Sequence, residues 1–170
     1  MKYTFTFLFI SLTTAIFAQE YKNSAGLRLG KTDGVTYKRF LADNGAVEFM
    51  LGFGGYEKGM QIYTTYQWHY QIPAKFTDNL YLYYGVGGHV GYIRPNSNRD
   101  YYVNDSTVVS EEEKQTYYTI GVDGVIGLEY RIFTVPMTVS MEVKPYFEYY
   151  GLRYTQFRFW DFGFTVKYIF

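Results

Sequence analysis

The chain contains no cysteine. Disulfides, thiolate zinc sites, cysteine nucleophiles and lipid attachment at an N-terminal cysteine are therefore excluded. Only two histidines occur, His69 and His89, so a three-histidine metal site is excluded too. Neither sign of charge is in excess, with 16 Lys plus Arg against 16 Asp plus Glu. A nucleic-acid-binding domain would carry a basic surplus. Beyond the N-terminus, no stretch approaches the ~18 apolar residues of a membrane-crossing helix. What abounds is aromatic side chains, 21 Tyr, 15 Phe and 2 Trp in 170 residues. A disordered chain would lack them.

Met1 and Lys2 form a short positive start, Tyr3 to Phe17 is mostly apolar, and Ala18 precedes the polar Gln19 and Glu20. This pattern predicts an export signal over residues 1–18, cleaved after Ala18. The apolar run is too short, and too interrupted by Ser and Thr, for a membrane anchor. Residues 19–170 have the length of one domain.

Through that domain hydrophobicity alternates with period 2, and no long 3.6-residue period occurs. Eight strands are predicted: Ser24 to Lys31, Val35 to Leu41, Ala46 to Gly54, Met60 to Ile72, Leu80 to Tyr92, Thr116 to Arg131, Val135 to Phe147, and Tyr154 to Phe170. Thr32-Asp33-Gly34, Asp43-Asn44-Gly45 and Glu57-Lys58-Gly59 supply turn chemistry between them. One connection is long, Ile93 to Gln115, and rich in Asn, Ser, Asp and Glu.

Sorted by parity, the strands separate into two faces. One is apolar: Val47, Phe49, Leu51 and Phe53, for example, or Tyr118, Ile120, Val122, Ile126, Leu128 and Tyr130. The opposite face carries the strand charges: Arg28, Lys38, Glu48, Asp123, Glu129, Arg131, Glu142, Lys144, Asp161 and Lys167. Arg39 alone breaks the rule, near a strand end, from which it can reach an interface.

Two alternating eight-stranded barrels fit. A soluble lipocalin-like barrel puts the apolar face inside, and an outer-membrane barrel puts it against lipid. Three features favour the second. The polar face is mostly Tyr, Gln, Gly, Thr and Ser (Tyr63, Thr65, Gln67, Gly85, Ser140), which suits a narrow lumen better than a water-facing surface. Trp68, Tyr70, Tyr130, Tyr168 and Phe170 gather near strand ends on the apolar face, as interfacial girdles do. Phe162, Phe164, Val166, Tyr168 and Phe170 alternate up to the last residue, which resembles the C-terminal signal by which outer-membrane barrels are recognised for insertion. With eight strands both termini fall on the periplasmic side, and the long Ile93 to Gln115 connection falls outside the cell.

The passages GVTYKRFL, AVEFMLGFGG, NLYLYYGVGGHVGYI, GVDGVIGLEYRI and MTVSMEVKPYFE resemble the small outer-membrane β-barrel proteins of Bacteroidota and, more distantly, the OmpA/OmpX type. The resemblance covers nearly all of residues 19–170 and implies fold and location rather than activity. It supplies no catalytic residues and no cofactor.

The expected protein is thus all-β: an eight-stranded antiparallel up-and-down transmembrane barrel behind a cleaved signal peptide, in the outer membrane of a Gram-negative bacterium. Five acidic and five basic inward residues predict a paired network that closes the lumen. A selective pore would instead show a ring of one sign. The expected role is structural or surface-interactive. The alternative is a lipid-modifying outer-membrane enzyme or a narrow channel. Lipid-modifying barrels of this size use Ser and His on the lipid-facing side. His69 and His89 share the inward parity and lie near opposite ends of neighbouring strands, so no Ser-His-acid set is predicted. Expected partners are membrane lipid, the assembly machinery through the C-terminal strand, and an extracellular partner through residues 93–115. In that loop Glu111-Glu112-Glu113 suggests a site for a divalent cation or a basic partner, or else a solvated tip, and the solvated tip is the favoured reading. Tyr101-Tyr102 and Val108-Val109 suggest strands that continue beyond the membrane.

Overall fold

The computed structural model describes residues 21–54, 58–73, 77–94, 97–104, 107–113, 116–132, 134–150 and 154–170. The expected export signal lies outside the described residues. The rest folds as β1 (Asn23–Gly30), β2 (Thr32–Phe40), β3 (Gly45–Gly54), β4 (Lys58–Gln71), β5 (Leu80–Arg94), β6 (Ser97–Asn104), β7 (Thr107–Glu113), β8 (Tyr117–Ile132), β9 (Met137–Val143), β10 (Tyr146–Tyr150), β11 (Tyr154–Arg158) and β12 (Phe162–Ile169). Aromatic and β-branched residues in alternation favour this conformation throughout.

Every consecutive barrel pairing is antiparallel, and β12 pairs back to β1, with Leu27 opposite Val166. β9 and β10 both pair with β8 and act as one stave, and β11 and β12 form another. The result is a closed barrel of eight staves, which leaves no free edge. The start of β1 and the last residue meet at one mouth, the terminal mouth, where the Asn23 N–H donates to the Phe170 carbonyl at 3.1 Å. The turns after β2 and β4 and the β8–β9 turn lie at this terminal mouth, and the β1–β2 turn lies at the opposite one.

Four sequence expectations are corrected. The first reversal is centred on Lys31, and Thr32, Asp33 and Gly34 already belong to β2, opposite Gly54, Phe53 and Gly52. The Asp33 carboxylate accepts the Gly30 N–H at 2.9 Å, which moves the turn forward. Lys58 and Gly59 are also strand, opposite Arg94 and Ile93. Gly59 reads as punctuation, yet its role is close approach: a Cβ there would lie 2.1 Å from the Tyr92 carbonyl oxygen. The long connection begins later than expected, since β5 runs on to Arg94, and within it β6 and β7 pair as a hairpin through the expected strand residues, with Tyr101 opposite Val109 and Tyr102 opposite Val108.

The fourth correction concerns the last two staves, which are interrupted. Tyr146 pairs with Arg158, but Val143 pairs with Phe162, so three residues, 159–161, face the two residues Lys144 and Pro145. This is a β-bulge. Pro145 has no N–H to donate to the ladder, although its carbonyl still accepts from Gly124 at 2.8 Å. The extra residue inverts parity: Phe157 and Phe159 are exposed before the bulge, and Trp160 and Phe162 are exposed after it.

Candidate functional site

The barrel is inverted relative to a water-soluble one. Its buried positions are mostly polar, including Arg28 at 1% exposure, Lys38 at 0% and Glu129 at 0%. Its exposed face carries Leu29, Phe49, Ile62, Val86, Val122, Ile126, Met141 and Phe164. Period 2 sends alternate side chains of each stave into the lumen, and the closed sheet curls with its charged face inside.

The interior charges are connected rather than scattered. Lys38 Nζ donates to Glu129 Oε2 at 3.0 Å and lies 3.6 Å from Glu48 Oε2. Glu48 also accepts from Thr36 and, at 2.7 Å, from Gln67 Nε2. Lys167 Nζ lies 2.7 Å from Glu48 Oε1, an ion pair without hydrogen-bond alignment. In a second group Arg28 Nε donates to Glu142 Oε1 at 2.6 Å, and its Nη2 lies 3.2 Å from Asp161 Oδ1. Arg28 donates further to the Thr32 carbonyl, and the Tyr83 hydroxyl donates to Glu142. Lys144 Nζ lies 3.9 Å from the Tyr63 ring centroid, a cation–π contact. Separating any one partner of such a buried pair leaves an uncompensated charge.

A third group lies toward the far mouth. His89 Nδ1 sits 2.9 Å from Asp123 Oδ1, and its Nε2 sits 3.3 Å from Glu148 Oε1. Gln61 Nε2 donates to the same Glu148 oxygen at 2.6 Å and to Thr119 Oγ1 at 3.1 Å. His69 belongs to the other end, 3.2 Å from Lys38 Nζ and stacked on Tyr83 at 5.1 Å. Ser140 is buried, and its hydroxyl has no partner among the described residues, so it is not paired with either histidine.

Of the ten inward charges read from the sequence, Arg131 stands apart. It is half-buried at the terminal mouth and, like the buried Lys144, forms no ion pair among the described residues. Its guanidinium lies 4.0 Å from the Tyr81 ring centroid and 4.4 Å from that of Tyr21. The Tyr21 hydroxyl in turn donates to Glu129 Oε1 at 2.8 Å. Burial, and then the Glu129 carboxylate, push the Tyr21 phenol well above its ordinary value, so it stays a neutral donor.

Parity reading missed Glu148, which is buried, because the stave was ended at Phe147. The unbroken alternation Tyr146-Phe147-Glu148-Tyr149 was the available signal. Tyr21 was missed because it precedes the first strand. Gly127 was also passed over. A Cβ on it would lie 2.6 Å from the Tyr83 hydroxyl and ring, so Tyr83 crosses the lumen wall only over a glycine.

On the outer face Trp68, Tyr70 and Tyr84 form one aromatic cluster toward the terminal mouth, with Tyr70 and Tyr84 stacked at 5.7 Å. Tyr168 and Phe170, stacked at 6.3 Å, form a separate pair at the same mouth on the β12 stave. Phe157, Phe159, Trp160 and Phe162 form a second cluster toward the far mouth, created by the bulge. Phe162, Phe164, Val166, Tyr168 and Phe170 are all exposed. The side chains of Glu111, Glu112 and Glu113, and of Tyr101, Tyr102, Val108 and Val109, lie outside the described residues.

Between the interior charged groups a cavity lined by Glu48, Tyr63, Gln67, Glu142 and Lys144, among others, measures about 10 Å³. That is room for one water at most. No protein-family model matches the chain, and no curated protein matches it. Among solved structures it is similar to the crystal structure of the N-terminal β-barrel domain of Pseudomonas aeruginosa OprF, at 16% identity and a TM-score of 0.48, over 88% of this chain and 96% of that one.

Proposed function

We propose that this protein is an integral outer-membrane β-barrel with a lumen sealed by ion pairs, and that its role is structural or surface-interactive rather than catalytic. One observation carries the reading: ionised side chains fill the inside while large apolar ones cover the outside, from Val122 at 65% exposure to Phe164 at 57%. Water would penalise that outer face, and hydrocarbon rewards it. The two aromatic clusters, one toward each mouth, support the same placement, since interfacial girdles flank the apolar band of such barrels. The outward row from Phe162 to Phe170 is the surface an assembly machinery would read. The export signal predicted over residues 1–18 agrees with this destination.

The sealed lumen rests on the Lys38–Glu48–Lys167 and Arg28–Glu142–Asp161 groups and on the small size of the cavity between them. The hairpin β6–β7, joined to the ends of β5 and β8, is the part able to meet a partner outside the cell. Gel migration of the membrane fraction tests the placement. A folded embedded barrel migrates differently before and after boiling, and a mature chain that stays monomeric in detergent-free buffer overturns the reading. Planar-bilayer recording tests the seal: the wild type is expected to show no stable conductance steps, and large steady steps refute it.

A further inference from the structure

At the terminal mouth a cavity of about 380 Å³ is lined by Tyr21, Lys22, Arg39, Phe40, Asp43 and Arg131, among others. Three of these are cations and one is a carboxylate, so the lining is net positive by two charges. In the barrel interior a few residues away Lys38, Lys167 and Arg28 each have a carboxylate partner, while Lys144 rests on the Tyr63 ring. Here no carboxylate lies within ion-pair distance of Lys22, Arg39 or Arg131 among the described residues.

Arg131 is also held in place. Two tyrosine rings lie against its guanidinium, at 4.0 and 4.4 Å. Ring contacts engage the flat faces of a guanidinium and leave its N–H edge for a ligand. The Nε is buried and has no hydrogen-bond partner among the described residues, so the half-buried side chain meets the cavity through its outer guanidinium nitrogens. The backbone beneath is fixed twice by Asn79: the Arg131 N–H donates to the Asn79 carbonyl at 3.0 Å, and Asn79 Nδ2 donates to the Arg131 carbonyl at 3.1 Å. Tyr21 is tied to Glu129 and packs edge-on against Phe40 at 5.3 Å. A buried donor left without an acceptor is costly, and an oriented guanidinium fork matches an oxyanion.

We propose that this cavity binds a phosphate group, with Arg131 as the oriented fork and Arg39 and Lys22 as flanking charges. The three cations come from three separate segments, the chain before β1, the end of β2 and the end of β8. Convergence from three directions suits a tetrahedral oxyanion better than a flat carboxylate, and the volume falls in the range of small-ligand sites. Two sources share this chemistry, a lipid headgroup and a free phosphate compound. Arg39, exposed on the outer side of β2, stands at headgroup level if the terminal mouth lies at the inner-leaflet surface. This headgroup-level position of Arg39 rests on the membrane placement proposed above.

The test is NMR of the arginine Nε–Hε resonances in the full barrel, held in non-ionic detergent, while inorganic phosphate or short-chain phosphatidic acid is added. The Arg131 resonance is expected to shift saturably, and Arg94, toward the far mouth, to stay fixed. Arg39→Gln, at an exposed position and read on the Arg131 resonance, should weaken binding about tenfold, and Arg131→Met, read on the Arg39 resonance, should abolish its saturable shift. Saturation by phosphatidic acid at about a tenth or less of the inorganic phosphate concentration identifies a lipid headgroup, and equal concentrations identify free phosphate. An Arg131 resonance that ignores both, or follows chloride equally, overturns the proposal. Heat-modifiable migration of the same samples separates the two ideas, because a correctly folded membrane barrel with a silent Arg131 refutes the phosphate site alone.

Discussion

Tyr83 lies across Gly127, its partner on β8, and reaches over it to donate its hydroxyl to Glu142 at 2.5 Å. The missing side chain of one residue is the space of the other. Gly127→Val would place carbon atoms inside that space, with the Met141 carbonyl oxygen also 2.6 Å from the new Cβ. The expected loss is about 1–3 kcal/mol. Tyr83→Ala opens a cavity and leaves Glu142 short of a donor, and should cost about 3–5 kcal/mol. Urea unfolding in micelles, followed by gel migration, measures both.

Lys38 stands between Glu129 and Glu48. Lys38→Met leaves two carboxylates facing each other without their shared cation, and should cost about 3–5 kcal/mol. Adding Glu129→Leu should recover much of this, since replacing both members of a buried pair by apolar residues is close to neutral. A double variant no more stable than the single one would show that the pair does not act as a unit.

Val86 is exposed near the middle of β5, and Val135 is exposed beside the β8–β9 turn. In a membrane barrel Val86→Arg should cost about 2–4 kcal/mol, and Val135→Arg no more than about 1 kcal/mol. On a water-facing surface both would be harmless. Equal, small effects at the two positions would contradict the outward placement of the apolar face.

The bulge predicts an asymmetry between two deletions. Removing Phe159 makes the ladder continuous and keeps Phe157, Trp160 and Phe162 outward and Asp161 inward. Removing Val166 shifts every later side chain to the wrong face. The first variant is expected to retain heat-modifiable migration and the second to lose it.

The hairpin β6–β7 forms its own two-stranded sheet, separate from the barrel sheet. Removing residues 97–113 should leave barrel migration unchanged and move the unfolding free energy by less than about 1 kcal/mol. Loss of binding to a surface that the intact protein recognises would then assign that recognition to the hairpin.

Much of this architecture can be read along the chain because a strand has the simplest possible code. Period 2 in segments such as Val47-Glu48-Phe49-Met50-Leu51 assigns each residue to a face without knowledge of its neighbours. Lys38, Glu48 and Glu129 could therefore be placed inside from parity. Their mutual distances could not, since they come from three staves and meet only across the lumen. The phosphate-site residues were illegible for the same reason: Lys22, Arg39 and Arg131 share no segment and no spacing.

Alternation and aromatic content, local properties of consecutive residues, determined by themselves that this chain makes strands with one greasy and one charged face. Closure of the sheet decided the rest. Only the pairing of β1 with β12 turns a charged face into an enclosed one and gives each ion its counter-ion. Only the mismatch of three residues against two at Pro145 brings Phe159 and Trp160 to the same side. Local sequence sets the direction of a side chain, but register between strands sets its company, and register is a property of the assembled sheet.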